Sequence, residues 1–269
     1  MAVGAPGAIR VSGPLPVPRI APASALALRG KAHEIICARA YPSTAGSVGA
    51  FVRHISEAAP ESLAGYPGLG DALAPYMEIP PPAARAGSIA KARKEFAAYS
   101  RMADRAPPLA TSSESEFVAI LLELHRRLGA GANAFRTHAV STAPDGAGNR
   151  VVFPHFRHCP ALIRDLHGFL AANLAHHPSL CAVVAYVGVN HAHPFSDGNG
   201  RTARTLYNLI MTASGSRHFL PIHCVGRPTR GSLILKTRRA MYDGDWEPLL
   251  AFFTDATRLS DRLQRQAAA

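Results

Sequence analysis

The segment "PSLCAVVAYVGVNHA", residues 178–192, is apolar around nearly its whole circumference when wound as a helix. A helix without a polar face has nothing to offer water, so it must run through the middle of a domain with other elements around it. Its chain neighbours supply those elements. Residues 160–175 keep helical spacing, and "GRTARTLYNLIMTASG" turns Ala203, Leu206, Leu209, Ile210 and Ala213 to one side, with Gly215 as its stop. Two further helices fit 231–242 and 246–264. Upstream, Ser113 and Glu116 have the spacing of a capping box, and Phe117, Ile120, Leu121, Leu124 and Leu128 then mark one buried face. Only "AFRTHAVSTAPDGAGNRVVFPHF" favours β structure. Its two short runs flank Asp-Gly and Gly-Asn turns, which predicts a β-hairpin with a loose loop.

The expected organisation is therefore a mainly α core domain over 109–264, preceded by a small helical extension over 45–108. Within that extension, helical spacing occurs at 45–59, 69–77 and 88–106, the last through Ile89, Ala92, Phe96 and Tyr99, with proline-rich breaks between. Residues 1–44 carry Pro6, Pro14, Pro16, Pro18 and Pro22 and no unbroken apolar block. They read as a disordered Pro/Ala-rich tail rather than a secretory signal peptide. No apolar run approaches the roughly 20 residues needed to cross a bilayer, so no membrane role is expected. The expected location is cytoplasmic, or a host cell reached by specialised bacterial export without a classical signal.

Composition narrows the partners only weakly. With 29 Lys plus Arg against 18 Asp plus Glu, the formal charge is +11, which favours anionic partners in general. There is no DNA-reading module and no aromatic stacking platform, so a nucleic-acid partner is not expected. Cys37, Cys159, Cys181 and Cys224 form no C-x-x-C pair and read as small buried residues.

The central helix leads into "NHAHPFSDGNGRTARTL", residues 190–206. His191, His193 and Asp197 have the look of metal ligands, yet that reading leaves two arginines and a Gly-Asn-Gly turn without a role, and cations beside a divalent metal weaken its binding. A phosphate site uses them all. Gly198, Asn199 and Gly200 lie where a loop becomes a helix, so their backbone amides can form an anion-binding nest. Arg201 and Arg204, three apart, share the face beside it. The helix dipole disfavours cations there, and a bound polyphosphate would offset that conflict. Asp197 can then hold Mg²⁺ against phosphate oxygens, and His193 is a base titrating near neutrality. His191 reads as a helix-end histidine bonding a carbonyl, and His138, His155 and His158 as surface residues.

"HPFSDGNGRTAR" (193–204) resembles the signature of the Fic family, H-x-F-x-[DE]-G-N-G-R-x-x-R, at every fixed position. Chance agreement at eight positions is roughly below one in a million by residue frequencies. The order of elements over about 112–258 is similar to that of Fic proteins as well.

The resemblance implies a Fic-type helical bundle with a short β-hairpin flap. It implies a protein adenylyltransferase that moves AMP from ATP to a Ser, Thr or Tyr hydroxyl of a target protein and releases pyrophosphate. In that scheme His193 is the general base and Asp197 the Mg²⁺ ligand, while Gly198, Asn199 and Gly200 cradle phosphate and Arg201 and Arg204 neutralise the leaving group. Val151, Val152 and Phe153 would be the flap edge that holds a target segment by strand addition, although an ordinary half-buried strand explains them equally. Another donor (UMP or phosphocholine transfer, or a kinase-like orientation) and a non-catalytic basic nucleic-acid binder stay open as alternatives.

Many Fic proteins carry an inhibitory helix with the pattern [ST]-x-x-x-E-[GN], whose Glu pairs with the second motif arginine. No Glu in this chain precedes Gly or Asn. The expectation is that Arg204 has no inhibitory partner within the chain, so that a separate antitoxin supplies one or the protein acts unrestrained, as a toxin or effector.

Overall fold

A computed structural model describes residues 7–11, 13–21, 23–57, 63, 65–70, 85–103, 109, 111–129, 134–143, 150–226, 229 and 231–269. The elements are β1 (Ala8–Arg10), α1 (Ala25–Arg39), α2 (Ala45–Glu57), α3 (Arg85–Ala103), α4 (Glu114–Arg127), β2 (Arg150–Val152), α5 (Cys159–Asn173), α6 (Pro178–Ala192), α7 (Asn199–Ala213), α8 (Ile222–Gly226), α9 (Ser232–Asp243) and α10 (Glu247–Gln266). The fold is mainly α, and among the described residues no helix is long and apolar enough to cross a membrane.

The apolar helix α6 is central. It packs against α1, α5, α7, α9 and α10, and nearly every residue from Ser179 to Ala192 is buried, so the surrounding helices satisfy what its composition demanded. Helix α7 lies along it and sends Ala203, Leu206, Leu209 and Ile210 into the same core. Helix α4 begins at the expected capping box. Ser113 Oγ accepts from Glu116 N at 3.3 Å, and Glu116 Oε2 accepts from Ser113 N at 2.7 Å. Helix α3 packs on α2 and α7. The helix expected over 69–77 lies outside the described residues beyond Gly70. All four cysteines are free and buried, and burial pushes the Cys37 and Cys181 thiols up to about 12.

Two expectations are corrected. The N-terminal stretch taken as a disordered tail over 1–44 contains β1 and the 15-residue helix α1. Helix α1 is capped by Ser24, which accepts from Ala27 N at 3.2 Å, and buries Ala27, Gly30, His33, Glu34 and Cys37. That face has helical spacing but few apolar side chains, which is why hydrophobic periodicity misses it. Polar bonds dock it instead: His33 Nε2 lies 2.8 Å from Tyr207 Oη, and Ser179 Oγ donates to Gly30 O at 2.7 Å. The prolines before it do not prevent an extended strap. Gly13 O lies 3.1 Å from His191 Nε2, and Trp246 Nε1 donates to Pro16 O at 2.9 Å.

The expected hairpin is the second correction. Strand β2 has its ladder partner in β1, in parallel, with Ile9 opposite Val151. Among the described residues, the stretch before β2 meets it at an isolated antiparallel bridge between Ser141 and Val152. Thr142 interrupts regular pairing there, because its Oγ1 accepts the Val151 amide at 3.0 Å. Residues 144–149, the expected turn, lie outside the described residues.

Candidate active site

The site is built on the connection from α6 to α7. Helix α6 ends at His193, whose backbone is left-handed (φ 47°, ψ 55°). This conformation costs an ordinary residue about 1–2 kcal/mol and is usually left to glycine. The surroundings over-determine it. His193 N donates to Val189 O at 2.9 Å, Arg136 Nε donates to His193 O at 2.7 Å, and the imidazole stacks on Phe153 with ring centroids 3.5 Å apart. Strain held in this way is typical of a functional turn.

His193 Nδ1 lies 3.3 Å from Asn190 O. A carbonyl only accepts, so the proton sits on Nδ1 and the lone pair on Nε2, the tautomer a general base needs. Burial chiefly lowers the imidazole pKa to about 4, opposed by the Asn190 carbonyl and assisted by the nearby Arg136 charge. The ring is therefore neutral at pH 7. It faces a cavity of about 200 Å³ whose wall includes Val151, Phe153, Asn190, Ile234, Arg238 and Tyr242. A larger cavity of about 600 Å³ shares Phe153 but lies between the N-terminal segment and α5. It contains no residue of the 193–204 stretch, so we assign the chemistry to the smaller one.

After Pro194, Phe195 is fully buried against His125, with ring centroids 3.9 Å apart, and against Phe135. His125 Nε2 also reaches Asp197 O at 2.9 Å. Gly198 caps α7 at φ 83°, a value that favours glycine. Asn199 has a further structural job beside the one expected of its amide. Its buried side chain staples the turn, with Oδ1 accepting from Phe195 N at 2.9 Å and Nδ2 donating to Phe195 O at 2.7 Å. Only its backbone amide remains to face an anion. At Gly200 a Cβ would lie 3.2 Å from Arg204 Nη1, so the absent side chain leaves the guanidinium its room.

Both motif arginines are paired with carboxylates. Arg201 Nη2 meets Asp197 Oδ2 at 2.8 Å, on a carboxylate side chain that is 79% exposed. Arg204 Nη2 meets Glu95 Oε1 at 2.6 Å, with Nε 3.2 Å from both carboxylate oxygens, and the Glu95 side chain is 1% exposed. The expectation that Arg204 lacks a partner within the chain is thus corrected. Glu95 sits at mid-α3 on the buried face shared by Ala92, Ala98, Tyr99 and Met102. Burial alone would raise its pKa, but Arg204 and His223, whose Nδ1 is 3.7 Å away, together bring it down to about 2. Two carboxylates thus occupy the cationic face that begins α7, where the dipole leaves arginines in need of anions.

The single carboxylate of Asp197 fits Mg²⁺ only in company with phosphate oxygens and water, since no cluster of three metal-ligating side chains occurs among the described residues. His191 bonds a carbonyl as expected, though Gly13's rather than a helix-end one. His138, His155 and His158 are exposed. Of the expected flap residues, Phe153 reaches the site by stacking on His193. Val151 is buried and Val152 is half-buried. Both lie in a strand with β1 on one edge and backbone bonds to Val140 and Thr142 on the other, so β2 does not present a free edge there.

Sequence comparison identifies the same region. A profile of the Fic/DOC family matches residues 117–211. The protein adenylyltransferase Fic of Aedes aegypti is 26% identical over 163 residues, 54% of this chain and 29% of that protein. The protein adenylyltransferase fic-1 of Caenorhabditis elegans is 34% identical over 109 residues, 39% of this chain and 21% of that protein. The chain thus spans less than a third of the length of these curated relatives. Among solved structures, a Fic family protein from Desulfovibrio desulfuricans G20 superposes with TM-score 0.56 at 20% identity, covering 96% of this chain and 77% of that one. That likeness establishes the fold.

Proposed function

Because the chain belongs to the Fic/DOC family, with the whole α6–α7 turn inside the matched region, we propose that it is a protein adenylyltransferase held in a restrained state by its own Glu95. The observation that carries this reading is the pairing of a neutral His193, with Nε2 available, and an α7 N-terminus whose Arg204 is held in reserve by a buried carboxylate.

In the reaction, a Ser, Thr or Tyr hydroxyl of the target attacks the α-phosphorus of ATP. The hydroxyl proton passes to His193 Nε2, the bond from the α-phosphorus to the bridging oxygen breaks, and pyrophosphate leaves. The amides of Gly198, Asn199 and Gly200 receive phosphate oxygens. Arg201 and Arg204 take up the charge that develops on the leaving group, the main lever in such displacements. Mg²⁺ held by Asp197 would supply further charge neutralisation there. The base lies in the cavity lined by Ile234, Met241 and Tyr242 of α9, an apolar face suited to a nucleobase.

Glu95 provides from within the chain the anion that a separate antitoxin would otherwise bring, so release of α3 is the step that admits the γ-phosphate. The test compares label from α-³²P-ATP and γ-³²P-ATP with Mg²⁺, in wild type and Glu95→Gly, using lysate proteins and the chain itself as acceptors. Transfer from the α position only, raised by Glu95→Gly and lost when His193→Ala is added, is the expected result. Label from the γ position would instead indicate the inverted donor. UTP competition tests the remaining donor alternative.

A further inference from the structure

Arg136 is a buried cation whose hydrogen bonds, among the described residues, include no carboxylate. It is 4% exposed, and its guanidinium is spent entirely on carbonyls from three stretches of backbone. Nε donates to His193 O at 2.7 Å, Nη1 to His138 O at 2.8 Å and Nη2 to Pro154 O at 2.5 Å. Its own amide also donates to Pro194 O at 2.8 Å. Burial without an anion lowers its pKa, yet guanidinium stays charged.

The three carbonyls have different jobs. His193 O belongs to the left-handed residue that ends α6, where unpaired carbonyls and the negative end of the dipole welcome a cation. Pro154 O belongs to the residue after Phe153, the ring stacked on the His193 imidazole. His138 O lies just before Val140 and Thr142, which bond Phe153 and Val151. One planar fork therefore grips the backbone of the base and both stretches that carry its stacking partner. Lysine, a point charge without diverging planar donors, cannot reproduce this.

We propose that Arg136 is the positioning residue of this site, fixing the His193 backbone and the Phe153 segment to each other so that the imidazole is presented in one orientation. The inference rests on the base role assigned to His193 above, and it makes the flap segment and the base one mechanical unit. A near-attack geometry disturbed by about 1 Å costs about 10²-fold in rate. The effect belongs in the rate at saturating ATP, because Arg136 touches none of the groups assigned to the nucleotide phosphates.

The test uses the full chain carrying Glu95→Gly, with Arg136→Lys and Arg136→Met added separately. Self-labelling from α-³²P-ATP gives the saturating rate and the half-saturating ATP concentration. NMR at pH 8 follows the His193 ring protons, which the Phe153 ring shifts while the two are stacked, and melting temperature reports folding. Expected for both variants are a loss of about 10²-fold in the saturating rate with half-saturation little changed, and loss of the ring-current displacement. Unchanged rate and ring shift in a folded variant would overturn the proposal, as would rate and half-saturation failing in proportion. If the Glu95→Gly parent transfers no AMP, the adenylyltransferase reading fails, while the ring shift still decides the role of Arg136. Should both variants unfold, wild-type exchange of the Arg136 Nε proton decides: slow exchange supports the clamp, and exchange as fast as at exposed arginines overturns it.

Discussion

Arg201 and Arg204 leave the same turn of α7 three residues apart, yet they end in opposite environments. Arg201 meets Asp197 at the surface, and Arg204 meets Glu95 inside the protein. The difference is desolvation. An exposed pair is screened by water and exchanges readily for another anion. A buried pair cannot lose one member without leaving the other uncompensated. On the proposed reading, Asp197 yields to phosphate at little expense, whereas Glu95 yields only if α3 moves.

Four experiments break or sharpen that contrast. The largest effect falls on the turn itself. Adding His193→Ala to Glu95→Gly should lower α-label transfer about 10²- to 10⁴-fold, read as initial rates at saturating ATP. A loss smaller than this range would remove His193 as the base.

Stability comes next. Arg204→Ala strands the buried Glu95 carboxylate and should cost about 3–5 kcal/mol in urea unfolding, while Arg201→Ala should cost about 0–1 kcal/mol. Equal losses would abolish the distinction between the two pairs.

Acid separates the global fold from the restraint. Burial holds His33 at about 3 in the folded chain against an ordinary 6.5. At pH 5 the unfolded chain therefore binds a proton that the folded chain does not, and His33 alone should remove about 2 kcal/mol of stability between pH 7 and 5. Glu95 runs the other way. Its folded value of about 2 lies below the usual 4.5, so its contribution is complete above about 4.5 and is lost only as pH falls toward 2. Melting temperature should drop between pH 7 and 5 while the gain from Glu95→Gly stays constant over that range. A gain that vanishes at pH 5 would mean the restraint titrates elsewhere.

The smallest effect is the release itself. Glu95→Gly should raise α-label transfer at least about tenfold at subsaturating ATP, about 1.4 kcal/mol of restraint removed. No rise, with the chain folded, would leave the Arg204 pair a purely structural bond.

The two halves of the chain were not equally legible. From 109 onward the helices carry regular apolar stripes, and the turn carries fixed residue types, so the capping box at Ser113, the all-apolar α6 and the 193–204 stretch could be found by spacing alone. Before 109 the informative residues break the pattern. Glu95 occupies the buried face of α3 between Ala92 and Tyr99, and its place in that stripe was the available signal. It falls outside the pattern of a Glu followed by Gly or Asn because Phe96 follows. Helix α1 buries His33 and Glu34, which read as surface residues in isolation. Arg136 and His125 gave no local sign of their place in the site, since the turn residues they bond, His193 and Asp197, lie 57 and 72 residues away.

Sequence by itself determined that this chain builds a mainly α domain around α6 and that its turn joins a histidine, a Gly-Asn-Gly stretch and two arginines. Those features are local: periodicity, caps and a contiguous signature act within a few residues of one another. The tertiary structure alone decided that Glu95 neutralises Arg204, that β1 pairs with β2, and that one guanidinium ties the His193 carbonyl to Pro154. Each of these satisfies a charge or a backbone group left unpaired by its own element, and the partner that satisfies it is chosen by packing between segments distant in sequence.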